Sequence, residues 1–237
     1  MATDSLSIEN RAALLRGSYL FHGLDAEVLG RVAQLALPRD LAAGQPLFWQ
    51  GDEGDALYGV TAGLVRIWLT GPDGKELTLN LMEPGDFFGE IALLDGLSRS
   101  ANASALSDSR LIAIKRREFL GLLEREPRLA QHLIELLCER LRITTDRISD
   151  AVFLDLASRL AKTLDALATA HGRTTEKGTL IDAKLSQSAL AQLLGVTREA
   201  VNKQLKVFAK AGLVTTLGGK MVVLNAAGLR ERGQMKG

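Results

Sequence analysis

Between Gly89 and Ala101 the chain reads Gly-Glu-Ile-Ala-Leu-Leu-Asp-Gly-Leu-Ser-Arg-Ser-Ala, a largely apolar stretch that holds Glu90 and Arg99 at a fixed spacing. Glu90 can accept a hydrogen bond from a ribose hydroxyl, and Arg99 offers a planar fork of donors that matches the two free oxygens of a phosphodiester. A cyclic nucleotide carries both groups.

A second cassette runs from Leu185 to Leu205. Ser186 can cap one helix, Gly195 supplies a tight turn and Thr197 can cap the next, the pattern of a helix-turn-helix. Leu190, Leu193, Leu194, Val196, Val201 and Leu205 form the apolar side, which leaves Arg198, Glu199, Asn202, Lys203 and Lys206 facing out. In a recognition helix the first turn meets base edges, where arginine binds guanine O6 and N7 and glutamate accepts from cytosine N4. Beyond it, residues 213–217 and 220–224 flank Gly218-Gly219 as a two-residue hairpin, a wing on which Lys220 would meet phosphate.

The elements that must position these residues are legible from patterning. Residues 8–16 and 26–35 read as amphipathic helices, the second stopped by Pro38. From Leu37 to Ile114, short apolar or alternating runs are punctuated by glycine-rich turns, the texture of an antiparallel sandwich or roll; residues 64–69 and 77–81 form a hairpin across Pro72-Asp73-Gly74. A short helix at 118–123 follows. Pro127 then opens a long one, with Leu133, Leu136, Leu137, Leu141, Ile148 and Val152 as a stripe suited to pairing with a second copy. Asp155 is an N-cap and marks a hinge before a helix at 156–169, and the polar residues 171–179 read as a loop. The resulting division is 1–125 for the roll with its flanking helices, 126–154 for the dimerisation helix and hinge, and 155–237 for the winged helix-turn-helix.

At 237 residues and 46% hydrophobic content the chain buries a full core, and by length alone it is one domain or two. The net charge of +1 conceals an asymmetry: residues 151–237 hold 13 Lys and Arg against 6 Asp and Glu, while residues 1–150 hold 16 against 22. The basic part suits an anionic partner such as double-stranded DNA. No run is long and apolar enough for a membrane span, and Asp4 and Glu9 stand where a signal peptide would be basic and then apolar, so a cytoplasmic protein is expected. Cys138 is the single cysteine and the three histidines, His22, His132 and His171, are scattered along the sequence, which argues against a disulfide framework, a metal or a haem.

Taken together, residues 44–63, the Gly89–Ala101 cassette and the helix-turn-helix resemble the cyclic-AMP receptor protein (catabolite activator)/FNR family of bacterial transcription regulators, over roughly residues 20–225. The resemblance implies an α+β fold: an N-terminal antiparallel β-roll, a long dimerisation helix and a C-terminal winged helix-turn-helix. It also implies a ligand-binding set of Gly89, Glu90, Ile91, Ala92, Arg99 and Ser100, joined by Thr144 and Thr145 on the long helix, with one threonine from each subunit able to reach a single purine. On the DNA side it implies base reading by Arg198, Glu199 and Lys203 and phosphate contacts by Ser186, Gln187 and Thr197, with Asn202 and Lys220 alongside. Two residues depart from the family pattern. Ser98 replaces the frequent proline before the arginine, and Lys203 replaces an arginine, giving up the guanidinium fork for a point charge.

The implied function is a homodimeric, non-enzymatic transcription regulator switched by cAMP or cGMP, acting on a palindromic operator and on RNA polymerase. A regulator of the same fold that answers another ligand, or binds DNA without one, is the competing reading. Fewer than ninety C-terminal residues leave no room for a catalytic domain, and a purely structural dimer leaves Glu90, Arg99 and the basic wing without a role. The hydroxyls of Ser100, Thr144 and Thr145 donate and accept alike, so chemistry leaves adenine and guanine both open, and the resemblance favours cyclic AMP.

Overall fold

The computed structural model describes residues 7–181 and 186–234; Asp4 and Leu185 lie outside them. The chain falls into two compact units, one of residues up to Gly71 with Thr78–Leu141, the other of Pro72–Leu77 with the chain from Arg142 onward.

The first unit opens with α1 (Ile8–Gly17) and α2 (Ala26–Leu35), the latter burying Val28, Leu29, Val32 and Ala33. Two four-stranded sheets follow. One has the order β1 (Leu37–Leu41), β8 (Ser109–Lys115), β3 (Ala56–Ala62), β6 (Phe87–Phe88); the other has β2 (Pro46–Phe48), β7 (Asn102–Ala105), β4 (Val65–Thr70), β5 (Glu76–Met82). Because side chains alternate along a strand, one strand can serve two cores. Ile112 and Ile114 of β8 and Phe87 of β6 join the helices, whereas Leu111 and Phe88 face inward with Val60, Val65, Met82 and Ala103. Between β6 and β7 lies the short α3 (Glu90–Asp95), and after β8 come α4 (Arg116–Arg125) and the long α5 (Pro127–Phe153).

The long helix departs from the single stripe read in the sequence. Leu129 and Leu133 are buried, and Leu137 packs against the same core, within the first unit. Ile134, Leu141, Ile148 and Val152 are each 60–68% exposed. The leucines of the early turns therefore secure the helix to its own subunit, and the later apolar residues belong to a different face.

In the second unit, α6 (Leu156–His171) is followed by β9 (Gly172–Thr175), β10 (Gly178–Ile181), α7 (Gln187–Leu194), α8 (Arg198–Lys210), β11 (Val214–Leu217), β12 (Lys220–Val223) and α9 (Ala226–Gln234). Residues 171–179, expected as loop, instead end α6 at His171 and form most of the β9–β10 hairpin. Its residues are polar because only Leu180 and Ile181 turn inward, and its order comes from main-chain pairing of β10 with both β9 and β12. The α9 helix carries no strong apolar periodicity and was not anticipated.

Asp155 caps α6, its Oδ1 accepting from the Ser158 amide at 2.7 Å. That hydrogen bond holds the Asp155 carboxyl below its ordinary range, with Arg232 adding to the effect. A depressed carboxyl pKa stabilises the fold above the unfolded-state value, and the stabilisation is lost as pH falls through the folded-state value. Asp155→Ala is expected to cost the second unit about 1 kcal/mol at neutral pH, and calorimetry should show the wild-type advantage shrinking as the solution is made acidic below the carboxylate range. A wild-type advantage of unchanged size in acid would refute the assignment.

Candidate functional site

Gly89 initiates α3 with a φ of 87°, a left-handed conformation that suits glycine. A Cβ there would stand 2.7 Å from Arg99 Nη1 and 3.2 Å from the Ala56 carbonyl oxygen. The turn thus delivers Glu90 into the protein while leaving room for the arginine.

Arg99 is only 3% exposed. Its backbone is pinned to the turn before β3 by a hydrogen bond from its amide to the Asp52 carbonyl, 2.8 Å, and one from the Gly51 amide to its own carbonyl, 2.9 Å. Nη1 donates to the Gly89 carbonyl at 3.0 Å; Nη2 donates to the Ala56 carbonyl at 2.8 Å and lies 3.4 Å from Asp55 Oδ1. The guanidinium carbon lies 4.3 Å from the centroid of the Phe48 ring and 5.5 Å from that of Tyr58. Nε is buried with no protein hydrogen-bond partner. An interior cation with an unsatisfied donor is costly in free energy, and an anionic ligand offers what the carbonyls do not. Burial pushes the Tyr58 hydroxyl pKa up, assisted by Asp55 and opposed by Arg99, so Tyr58 stays neutral across the physiological range.

Glu90, also 3% exposed, pairs with Arg140 of α5 at 2.5 Å. Arg140 additionally donates to the Phe87 carbonyl. The carboxylate expected to hold a ribose is thereby wired to the long helix, a link the sequence did not reveal because an arginine on an amphipathic helix reads as a solvated residue. Phe48 and Tyr58 were missed for the same kind of reason, as aromatic residues in a strand pattern read as core.

The remaining expected ligand residues fall as follows. Ala92 is buried, Ile91 is 48% exposed, and Ser100 lies at the surface next to Arg99. Thr144 follows Arg140 by one helical turn on the same face of α5, and both threonines are exposed. His22 and His132, distant in sequence, stack with ring centroids 4.2 Å apart, each Nδ1 meeting a backbone carbonyl.

In the second unit Ser186 and Thr197 cap their helices, accepting from the Ala189 and Ala200 amides at 3.1 and 3.2 Å. Each hydroxyl proton stays available for a phosphate oxygen. Gly195 ends α7 with φ 66°, and Val201, Leu205 and Phe208 bury one side of α8. Arg198, Glu199 and Lys203 are exposed on its other side; Asn202 and Gln187 are half-buried, and Lys220 opens β12 directly after the Gly218-Gly219 turn. Arg159 of α6 donates to the Leu194 carbonyl at 3.1 Å, tying the bend of the motif to the helix beneath it.

Residues 38–126 match the cyclic nucleotide-binding domain family, and residues 158–232 match the Crp-like helix-turn-helix domain. The chain is 37% identical to the cyclic AMP receptor protein of Thermus thermophilus, over 92% of this chain and 97% of the relative. It is 32% identical to a CRP-like cAMP-activated global transcriptional regulator of Mycobacterium tuberculosis, over 92% of this chain and 98% of that one. This protein belongs to the CRP/FNR family, in its cyclic-nucleotide-binding branch. Among solved structures, the c-di-GMP responsive global regulator CLP of Xanthomonas campestris superposes with a TM-score of 0.76 at 27% identity, covering 85% of this chain and all of that one. Members of this family are transcription regulators and not enzymes, and the β-roll, long helix and winged helix-turn-helix are the family's fold. No described helix is long and apolar enough to cross a membrane.

Replacing Arg140 by Gln leaves the buried Glu90 carboxylate without its cation. The first unit should lose about 2 kcal/mol of stability in denaturant titration, and Glu90→Gln in the same chain should recover much of it. Purely additive losses would show that the pair is not the operative contact.

Proposed function

We propose that this chain is a homodimeric DNA-binding regulator switched by cyclic AMP, with residues 1–125 as sensor, 126–154 as coupling helix and hinge, and 155–237 as DNA reader. The observation that carries the reading is Arg99, a buried guanidinium with an unmatched Nε–H, hydrogen-bonded to the carbonyl of the glycine turn that presents Glu90. Arg99 and Ser100 take the cyclic phosphate, the Gly89–Ala92 turn completes its cradle, and Glu90 takes the ribose hydroxyl. A ligand that draws on Glu90 alters the Glu90–Arg140 pair and so acts on α5 directly.

The heptad spacing of the exposed apolar residues of α5 supports the dimer. Ile134, Leu141 and Ile148 recur every seven residues, with Cys138, Thr145 and Val152 four after each, the d and a positions respectively of a parallel pair. Thr145 is then on the seam, facing the partner's ligand, while Thr144 lies above Arg140 and faces its own. Both hydroxyls serve the purine edge. Rearrangement of the paired helices repositions the two α8 helices to about one turn of DNA apart, where Arg198, Glu199 and Lys203 read bases, Asn202 lies beside them, and Ser186, Gln187, Thr197 and Lys220 hold phosphates. RNA polymerase is the expected downstream partner.

The preference for cyclic AMP rests on the two relatives whose names carry it. The Xanthomonas neighbour named as c-di-GMP responsive favours a second reading, in which the same scaffold serves a guanine dinucleotide. Calorimetry with cAMP, cGMP and c-di-GMP, followed by gel shift with each, separates them. Arg99→Gln should weaken the active nucleotide at least tenfold with the melting temperature preserved; an unchanged affinity would remove Arg99 from the phosphate. Arg198→Ala should flatten discrimination among operator variants by about 1–3 kcal/mol per affected base pair and leave nucleotide affinity intact. Ile148→Asp should convert the dimer to monomer in sedimentation, and a variant that still sediments as a dimer would displace the seam.

A further inference from the structure

The C-terminal helix α9 lies beyond the wing, holds none of the residues proposed for ligand or DNA contact, and packs along α6. Leu229 is fully buried in the core of the second unit. Gly233 is buried as well, and a Cβ on it would stand 2.9 Å from Lys162 Cγ and 3.5 Å from the Lys162 amide nitrogen, so the last turn of α9 rests directly on α6. The neighbouring Arg232 reaches back across 77 residues of chain: Nη2 donates to Asp155 Oδ2 at 2.7 Å and Nη1 to Ser158 Oγ at 3.3 Å. Asp155 Oδ1 is already engaged by the Ser158 amide. One arginine therefore holds both the residue that caps α6 and the residue that the cap engages. Arg230 adds a pair with Asp165 at 3.3 Å.

This contact falls where α5 gives way to α6. Phe153 ends one helix, Leu156 starts the next, and Lys162, the residue beneath Gly233, pairs with Asp150 on the last turns of α5 at 2.6 Å. We propose that α9 is a clamp on this junction and that Arg232 is its positioning residue, fixing the start of α6 so that bending is confined to Phe153-Leu154 and movement of α5 reaches the recognition helix undiminished. The inference rests on the ligand-gated reading for its consequence, though not for its structural content. A clamp confers coupling because a frayed first turn of α6 would absorb the motion of α5 instead of passing it on.

The test uses the full chain in four forms: wild type, Arg232→Ala, the conservative Arg232→Lys, and Gly233→Leu, which lifts α9 without removing a charge. Amide hydrogen exchange over residues 156–161 is measured without nucleotide. DNA affinity is measured with and without cyclic AMP on a duplex enriched from a random pool by the wild-type protein. Exchange should quicken about fivefold in Arg232→Ala and Gly233→Leu, and stay near wild type in Arg232→Lys. The ratio of DNA affinities with and without cyclic AMP should fall at least fivefold in the first two, with the affinity for cyclic AMP itself within twofold of wild type. Unchanged exchange in Arg232→Ala overturns the clamp, and faster exchange with an unchanged affinity ratio reduces Arg232 to a structural residue and overturns its positioning role. A wild type whose DNA binding ignores cyclic AMP refutes the cyclic AMP reading, and the exchange measurement, which needs no nucleotide, then decides the clamp alone.

Discussion

A guanidinium buried in an apolar roll is the constraint from which much of the first unit follows. Taking a cation out of water is unfavourable by several kcal/mol unless its donors find partners. Arg99 finds them on the main chain, at the Gly89 and Ala56 carbonyls, and this requires a residue without a Cβ at position 89 and a strand end at position 56. Phe48 and Tyr58 surround the charge with ring faces, which stabilise a cation without supplying a competing anion. A carboxylate in their place would neutralise Arg99, whereas the rings leave its charge uncompensated. Asp55 comes near, at 3.4 Å, but its side chain is 74% exposed and water screens it. Arg99 is consequently satisfied at both terminal nitrogens while its Nε keeps an unmatched donor.

The second buried charge, Glu90, is resolved differently, by a cation on another element. Because Arg140 sits on α5, the same helix anchors to the first core through Leu129 and Leu133, pairs with Glu90 through Arg140, and exposes the apolar residues Ile134, Leu141, Ile148 and Val152. At about 100° per residue Arg140 falls on the same face as Leu133, two turns further along, whereas the exposed apolar residues lie roughly 100° around the helix from it. Along its 27 residues the core uses the first turns, and the exposed apolar residues continue to the far end.

What the sequence disclosed and what it withheld divide along a physical line. Glu90 and Arg99 stood out because charged residues in an apolar run need a partner, and the Ser186, Gly195 and Thr197 series stood out because caps and turns have strict local chemistry. Helices α1, α2 and α6 and the β4–β5 hairpin were legible for the same local reasons. Arg140, Phe48 and Tyr58 were not, since their significance depends on what lies across the roll from them, and a lone sequence has no measure of that. The stripe on α5 was seen but not its division, because Leu133 and Leu141 are chemically alike and differ only in what faces them. Residues 171–179 were read as loop since the pairing of β10 with β12 is non-local, and α9 escaped since its hold on α6 uses one leucine, one glycine and arginines in place of an apolar stripe.

Arginine recurs at the joints of both units. Arg99 ties the Gly89 turn to the end of β3, Arg116 reaches the Leu93 carbonyl from α4, Arg159 secures Leu194 at the bend of the helix-turn-helix, and Arg232 holds Asp155. In the first three the acceptor is a backbone carbonyl, two of them, Leu93 and Leu194, near a helix end where carbonyls lack intrahelical donors. A fork of fixed geometry with a permanent charge defines both distance and angle at such an acceptor, which a lysine would not. A regulator must transmit displacement through segments that are otherwise joined by short loops, and hydrophobic contact alone is tolerant of sliding. Directional bonds from arginine stiffen these joints, whereas the junction at Phe153-Leu154 has no such fork upon it among the described residues, which is the contrast on which the proposed bend rests.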